Sequence, residues 1–168
     1  RLWSLIPPEK GDFNVPTVVP FGEQILVSTE NNGTRRYGFA DGGRLVPEPV
    51  AQNSDLTPDS HTPVLSGGRP FGIWNELWAL DAKTLKTTFS DASDSFAVYG
   101  SLIASEDRLL GLTANGELLL IATDETDPVI VSRKSLAEPG VDVLSHPAVA
   151  GTAVYLRVGR TLFKFPLK

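Results

Sequence analysis

Short apolar segments, separated by Gly, Pro, Asn and Asp, run along the whole chain, and almost none has the spacing of a helix. No stretch keeps apolar residues at i, i+3, i+4 and i+7 over a dozen positions, and the best helical candidate, residues 81–85, is too short. Eight runs are instead rich in β-branched and large apolar residues, as strands are. They are residues 17–19, 24–28, 77–80, 109–112, 117–122, 129–132, 154–158 and 162–165.

Two of these runs are apolar on both faces. Residues 118–122 are apolar without a break, and residues 77–80 are nearly so. A strand that alternates apolar and polar residues has one face in water, whereas an unbroken apolar run is covered on both faces. In an all-β chain this favours sheets that are stacked on both sides, as propeller blades are, over a simple two-sheet sandwich.

A fourfold internal repeat points to the same architecture. Each copy has Pro or small residues, an apolar pair, a polar turn and an apolar strand. A period in the low forties with about four strands is the size of a propeller blade. We therefore predict a single β-propeller repeat domain with blades at residues 13–57, 58–97, 98–143 and 144–168, and fourth strands at 44–47, 85–89 and 129–133. The residues that follow the turns, at spacings of 45, 39 and 45, are Gln24, Arg69, Arg108 and Ala153.

Two Asn-Gly pairs mark hairpins inside the blades. Asn32-Gly33 and Asn115-Gly116 both tolerate positive φ, which two-residue hairpin loops require. Asn32-Gly33-Thr34 also matches the N-glycosylation sequon, but the turn alone explains this sequence.

The fourth predicted blade has only three strands before residue 168. Residues 1–7 have the pattern of an outer strand, so we expect them to complete that blade and to leave no unpaired edge. Four blades either close on themselves or form half of an eight-bladed ring. An unclosed arc would expose two apolar blade faces, so we favour a ring of two chains, a homodimer.

The composition excludes several classes of function. The chain of 168 residues has 15 Lys and Arg against 20 Asp and Glu, a net charge of -5, so we expect no nucleic-acid-binding face. The absence of cysteine excludes disulfides, thiolate zinc sites, iron–sulfur clusters and cysteine nucleophiles. No apolar run approaches the ~18 residues of a membrane span, and none has the form of a signal peptide.

One copy of the repeat resembles a known family. From Glu76 to Lys86 the chain reads Glu-Leu-Trp-Ala-Leu-Asp-Ala-Lys-Thr-Leu-Lys, which resembles the G-x-L-W/Y-A-L-D-x-x-T-G-K repeat of the pyrroloquinoline-quinone-like (quinoprotein-like) β-propellers. Residues 115–121 and 145–149 are similar to other parts of that repeat. The usual Gly after Thr is Leu85 here, which implies a different turn at that corner.

The resemblance implies a propeller fold and a periplasmic or secreted location. The family includes quinoprotein dehydrogenases, the propeller lipoprotein of the outer-membrane assembly machinery, and bacterial extracytoplasmic propellers without assigned activity. The chain is most similar to the last group.

The catalytic features of the family's enzymes have no counterpart here. Those enzymes hold the quinone between two adjacent cysteines and a tryptophan, with calcium bound by Glu and Asn and an Asp as base. This chain has no cysteine and no matching Glu, Asn and Asp set, so we assign no catalytic residue, no quinone and no metal site. The acidic loops at 91–94 and 124–127 lack the spacing of a calcium loop, and we interpret them as solvated turns.

Three residues are candidates for ligand binding. His61 and His146 are the only histidines, and each follows a Ser just before the first apolar pair of its unit, two blades apart. Since inner strands line a propeller channel, both histidines are placed to face it and to bind a metal or an anionic group. The alternative is that each imidazole bonds a backbone carbonyl, and a metal site usually needs at least three protein ligands. Trp74, at a hairpin, is the third candidate; Trp78 is expected in the blade core.

Two classes of function follow from this architecture. The first is a non-catalytic platform that binds a protein partner or a second copy of the chain through its loops. The alternative is an enzyme, either a divergent quinoprotein or a polysaccharide-acting propeller, with its site in the central channel. A convergent polar cluster at the channel mouth would favour the enzyme.

Overall fold

The computed structural model describes residues 3–137, 141 and 143–167, and in these residues every regular element but one is a strand. The exception is a single 3-10 turn at Asp94–Phe96. In the part described, no helix is long and apolar enough to cross a membrane. The strands are β1 Val19–Phe21, β2 Gln24–Thr29, β3 Gly33–Tyr37, β4 Phe39–Ala40, β5 Arg44–Leu45, β6 Ala51–Asn53, β7 Val64–Ser66, β8 Arg69–Ile73, β9 Leu77–Leu80, β10 Thr87–Asp91, β11 Gly100–Ala104, β12 Arg108–Thr113, β13 Glu117–Ala122, β14 Val129–Ser135, β15 Ala148–Ala150, β16 Ala153–Val158 and β17 Thr161–Pro166.

Four antiparallel sheets follow one another along the chain. The first three have four strands each, in the orders β1-β2-β3-β6, β7-β8-β9-β10 and β11-β12-β13-β14, and the fourth has β15-β16-β17. The short strands β4 and β5 form a separate hairpin. This topology confirms the predicted all-β architecture of consecutive four-stranded blades, which we number 1 to 4.

Apolar clusters fill the three interfaces between successive blades. Leu26 of blade 1 packs with Leu80 and Leu85 of blade 2. The interface between blades 2 and 3 is centred on Phe71 and Leu119, and Leu112 and Val154 belong to the one between blades 3 and 4. In the described residues no such cluster joins blade 4 to blade 1.

The unbroken apolar run in β13 is explained by this stacking. Leu119 and Ile121 belong to the interface with blade 2, while Leu118 packs in the interface with blade 4. One face is therefore buried, and the other is covered at Leu118 but not at Leu120, which is 36% exposed, so the expectation that both faces are covered is met only in part.

The fourth strand of blade 1 is not at residues 44–47, and that prediction was wrong. Arg44–Leu45 pairs with Phe39–Ala40 in the small hairpin, and the strand that completes the blade is Ala51–Asn53, paired with β3. Pro47 and Pro49 have no backbone N–H to donate to a sheet. The strand that pairs with β3 therefore begins only after them, at Ala51.

Leu85 turns the chain in a conformation that most residues avoid. Its φ is 57°, and its N–H donates to the carbonyl oxygen of Asp81 at 2.9 Å. Left-handed backbone costs about 1–2 kcal/mol in a non-Gly residue, whereas burying a Leu side chain contributes about 1.5–3 kcal/mol. Leu85 is fully buried between blades 1 and 2, so its burial offsets the strain, and the fourth strand of blade 2 begins after it, at Thr87.

Both Asn-Gly hairpins are present, but neither has the expected two-residue loop. The pairing of Thr29 with Gly33 leaves residues 30–32 in the first loop, and residues 114–116 form the second. Gly33 and Gly116 have φ of 68° and 78°, so the glycine alone supplies the positive φ. The asparagine is then free to bond elsewhere.

Residues 1–7 are expected to form the outer strand of blade 4; of these, residues 3–7 form no strand, and residues 1 and 2 lie outside the described residues. Residues 3–7 lie against blade 1, where the Trp3 ring is 6.1 Å from the Phe39 ring and residues 5–8 line a groove beside Arg35 and Tyr37. Pro7 and Pro8 have no N–H to pair with, which disfavours a strand here. The predicted domain boundaries remain a prediction.

A polar clamp holds the N-terminal segment on the first hairpin of blade 1. The side-chain amide of Asn32 donates to the Glu9 carbonyl oxygen at 2.9 Å and to Asp12 Oδ2 at 2.6 Å, and its Oδ1 accepts from the Glu9 N–H at 2.9 Å. Asp12 Oδ1 accepts from the Asn31 N–H at 2.7 Å. On the face away from blade 2, Arg35 and Tyr37 are buried, so this face of blade 1 is covered by its own chain.

The pKa of Asp12 reflects this clamp. Burial raises its pKa, but hydrogen bonds from Asn31, Thr29 and Asn32 and the charge of Arg35 outweigh burial, so the pKa lies below its ordinary value of 3.8. A carboxyl with a lowered pKa stabilises the folded state fully above its ordinary pKa, and this contribution is lost as the pH falls through the lower native value.

Replacing Asn32 by Ala is expected to release the N-terminal segment. The substitution removes three hydrogen bonds of about 1 kcal/mol each, so we expect the Glu9 and Asn31 amides to exchange hydrogen at least about tenfold faster. Hydrogen exchange by NMR measures this, with Asn14→Ala, an exposed position outside the clamp, as the control. Equal exchange rates in wild type and Asn32→Ala would contradict the clamp.

Candidate functional site

The segments that lead into the inner strands β1, β7, β11 and β15 meet at one end of the blades. We call them the lead-in segments (residues 13–18, 61–63, 98–99 and 144–147), and we call that end the lead-in end. The Thr17 N–H donates to Thr62 Oγ1 at 2.9 Å, which joins blades 1 and 2. The His61 ring meets the Tyr99 ring of blade 3 edge-on, at 6.4 Å between centroids. His146 of blade 4 opposes protonation of His61 and so lowers the pKa of that imidazole. We call these five residues the lead-in cluster.

His61 is buried, with 5% of its surface exposed, and its ring is fixed by the backbone of the next strand. Its Nε2 accepts a hydrogen bond from the Ile73 N–H at 2.8 Å. A neutral imidazole has one N–H, so the proton is on Nδ1. In the described residues neither Nδ1 nor the buried Asp59 Oδ1 has a hydrogen-bond partner.

The charge state of His61 follows from this setting. Burial lowers its pKa, Asp59 raises it, and His146 lowers it further, which brings the pKa to about 4. His61 is therefore neutral at pH 7, and protonating it would place a charge in the interior.

His146 occupies the equivalent position in blade 4 but is exposed. Its Nδ1 is 2.9 Å from the Pro147 carbonyl oxygen, to which it donates. Beside it, a cleft of about 340 Å³ is lined by Leu144, Ser145 and Arg157. The structure thus brings the two predicted histidines to one end of the blades with different roles, since one is an interior acceptor and the other a surface donor.

Trp74 lies in the hairpin between β8 and β9, in the packing between blades 1 and 2. Its carbonyl oxygen accepts a hydrogen bond from Trp78 Nε1 at 3.0 Å, and both rings are half-buried. The observed contacts of Trp74 are thus those of an interface residue.

The acidic loops are bound by the protein itself. Arg69 donates to the carbonyl oxygens of Glu125 and Thr126 at 3.1 and 2.8 Å, and Arg108 pairs with Asp124 at 3.3 Å. In the first loop, Asp91 Oδ1 accepts from the Ser93 N–H. Within the described ranges, no group of three or more His, Cys, Asp or Glu side chains is arranged to hold a metal ion.

The exposed apolar side chains on the lead-in segments are candidates for binding that the sequence pattern did not identify. Leu144, 74% exposed, precedes the inner strand of blade 4, and Val98, 59% exposed, precedes that of blade 3. Phe13 and Val15 are similarly exposed before blade 1. Each is an apolar residue outside a predicted strand and shortly before a Pro or Gly, and that position was the available signal.

Comparison with known proteins finds a similar fold. No protein-family model matches the chain, and no curated protein does. Among solved structures, the crystal structure of BamB from Moraxella catarrhalis is similar, with a TM-score of 0.63 and 18% identity over 91% of this chain and 46% of that chain. The chain therefore spans about half the length of that structure, and the similarity, at this identity, shows that it has the fold of consecutive β-propeller blades.

Proposed function

We propose that this protein is a non-catalytic β-propeller scaffold that binds a partner protein through its lead-in end, outside the cytoplasm. The exposed apolar side chains of the lead-in segments carry this proposal, with Leu144 and Val98 the most exposed on blades 4 and 3. Apolar side chains that are exposed at one end of a folded domain are available to a partner protein.

The same segments are held rigidly, which favours binding. Pro16, Pro63 and Pro147 stand just before inner strands and fix the backbone φ there. The Asn75 N–H donates to the Val98 carbonyl oxygen, and the Val143 N–H to that of Ala114, so hairpins of the preceding blades anchor two segments. A surface that is ordered before binding loses less entropy on association.

The polar groups of the lead-in cluster support a scaffold over an enzyme. Thr17 bonds Thr62, the Tyr99 hydroxyl bonds Ser101 at 3.1 Å, and His61 Nε2 is occupied by a backbone N–H. These contacts are made within the protein, although His61 Nδ1 is buried with no partner in the described residues. The proposal therefore assigns no catalytic residue and no quinone, calcium or other cofactor.

The extracytoplasmic location rests on two likenesses. One is the repeat at residues 76–86, and the other is the structural similarity to BamB. A protein-binding role is likewise what a BamB-like propeller suggests for this chain.

Photo-crosslinking in cells tests the proposal. A photoreactive residue at position 98 or 144 is expected to crosslink a distinct protein, whereas position 129 or 131, on the outer strand of blade 3, is not. The control is matched, because Val129 and Val131 are each 53% exposed and are apolar. Crosslinks at all four positions alike, or at none, would contradict a binding site at the lead-in end. A product with twice the chain mass at 98 or 144 would identify a second copy as the partner.

A further inference from the structure

The two Asn-Gly pairs contain reactive groups that the proposed scaffold does not use. The backbone nitrogen that follows an asparagine is placed to attack the side-chain carbon Cγ, and a following glycine hinders this attack least because it has no Cβ. The product is a cyclic succinimide, which water opens to aspartate or isoaspartate. Asn32-Gly33 and Asn115-Gly116 have the same sequence, so their surroundings decide how fast each one reacts.

The polar clamp restrains the side chain of Asn32. The Asn32 side-chain nitrogen donates to the Glu9 carbonyl oxygen at 2.9 Å and to Asp12 Oδ2 at 2.6 Å, while Oδ1 accepts from the Glu9 N–H. The side chain is also half-buried. All three bonds have to break before Cγ rotates onto the Gly33 nitrogen, so the clamp protects this pair from the reaction.

The side chain of Asn115 is restrained far less. Asn115 is exposed in the loop of residues 114–116, between β12 and β13. In the described residues its side chain makes one hydrogen bond, from Nδ2 to the Asp94 carbonyl oxygen at 3.0 Å, and its Oδ1 accepts none. A lone exposed bond of this kind competes with water, so the side chain rotates away from Asp94 readily.

The attacking atom in this loop is the Gly116 nitrogen. Its N–H donates to the Thr113 carbonyl oxygen at 2.9 Å, and Gly116 has a φ of 78°. The attack therefore needs this turn bond to open, which is a local event at the end of a hairpin. The ladder between β12 and β13, which begins at Leu112 opposite Leu118, does not have to break.

We propose that Asn115 is a modification site, at which the folded protein deamidates spontaneously, whereas Asn32 is protected. The Gly116 nitrogen loses its proton to hydroxide and forms a bond to Asn115 Cγ. The bond between Cγ and Nδ2 breaks, and Nδ2 leaves as ammonia with a proton from water. One water molecule then opens the ring at either carbonyl carbon, and the products are aspartate and isoaspartate.

The modification has a structural consequence, because the loop also anchors two neighbouring segments. The Leu136 N–H donates to the Gly116 carbonyl oxygen at 2.8 Å, and the Val143 N–H donates to that of Ala114 at 2.9 Å. Isoaspartate adds one methylene to the backbone between these two carbonyl groups, and neither product keeps an amide N–H for the Asp94 carbonyl oxygen. We therefore expect the segment that leads into blade 4 to be held less firmly. The reaction needs no partner protein, so it goes beyond the proposed function.

Peptide mapping of the folded protein tests the assignment. The wild-type protein is incubated in warm, mildly alkaline buffer, and deamidation at each asparagine is followed by mass spectrometry, with isoaspartate separated by chromatography. We expect Asn115 to react at least about tenfold faster than Asn32. The same protein in urea is the control, because there both Asn-Gly pairs are unrestrained and react within about threefold of one another. Equal rates in the folded protein, or an Asn115 that stays intact while the control reacts, would overturn the proposal.

Release of the clamp supplies the second test. Asp12→Ala removes the bonds of this carboxylate to Asn31 and Asn32, so we expect deamidation of Asn32 to become at least about threefold faster and that of Asn115 to stay the same. The matched control is Asp41→Ala, an exposed carboxylate outside the clamp, which should change neither rate. An unchanged rate at Asn32 in Asp12→Ala would mean that the clamp does not protect it.

Hydrogen exchange measures the structural consequence. In the isoaspartate form, isolated by chromatography, we expect the Leu136 and Val143 amides to exchange at least about tenfold faster than in the unmodified protein. The Thr123 amide, which bonds the Asp107 carbonyl oxygen at the other end of blade 3, is the control and should change little. Unchanged exchange at both Leu136 and Val143 would disprove the effect on the segment that leads into blade 4.

Discussion

Between pH 7.5 and pH 4, we expect His61 alone to reduce the free energy of unfolding by about 3 kcal/mol. Burial holds the pKa of His61 at about 4 in the folded protein, against 6.5 for an ordinary histidine. Below pH 6.5 the unfolded chain therefore binds a proton that the folded chain does not bind until about pH 4. Stability rises with pH wherever the unfolded state binds more protons, and one pKa unit corresponds to about 1.4 kcal/mol. The stabilisation is thus complete above pH 6.5 and is lost as the pH falls to 4.

Chemical denaturation of His61→Gln at the two pH values measures this loss. The glutamine carbonyl oxygen can accept the Ile73 N–H in place of Nε2, so we expect a cost of about 1–2 kcal/mol at pH 7.5 and a much flatter pH dependence. His146→Gln is the matched control, since that histidine is exposed, and it should keep most of the wild-type pH dependence. If His61→Gln loses as much stability on acidification as wild type, the neutral buried state of His61 is disproved.

The different fates of the two histidines show what a repeat pattern predicts and what it does not. His61 and His146 have equivalent positions in two blades. Because the repeat period fixes where each inner strand begins, it predicts that the two histidines lie at the same end of the fold. Burial depends on the neighbouring blade, which the local sequence does not describe. Tyr99 of blade 3 covers His61, whereas in the described residues no further blade lies beside His146.

The errors at blade 1 have a similar origin. Residues 44–47 have strand-like composition, but a strand also needs a partner. The positive-φ glycines at 42 and 43 turn the chain back, so that residues 44–45 pair with β4 and not with β3. Residues 3–7 also have strand-like composition. Their position is decided by the clamp between Asn32 and residues 9–12, and such side-chain bonds to a loop leave no periodic signal. The local pattern therefore predicted most strands well, but it predicted poorly which segments pair with or cover blade 1.

Gly33→Ala is expected to be the most destabilising of the conservative substitutions considered, at about 4 kcal/mol. Gly33 has a φ of 68°, which costs a residue with a Cβ about 1–2 kcal/mol. The added Cβ would also lie 2.2 Å from the Asn53 carbonyl oxygen, which belongs to the backbone of β6 and has to move. Asn53 in turn bonds Leu56 and Leu85 in the interface between blades 1 and 2, so the displacement disturbs that interface as well.

Gly151→Ala separates these two causes. Gly151 has a φ of 58°, but nothing lies within 4 Å of an added Cβ, so the substitution introduces the backbone strain without the collision. We expect it to cost about 1–2 kcal/mol in equilibrium denaturation, against about 4 kcal/mol for Gly33→Ala. Similar losses in the two variants would mean that β6 yields easily at Asn53. The fourth strand of blade 1 would then be held more weakly than its contacts with blade 2 indicate.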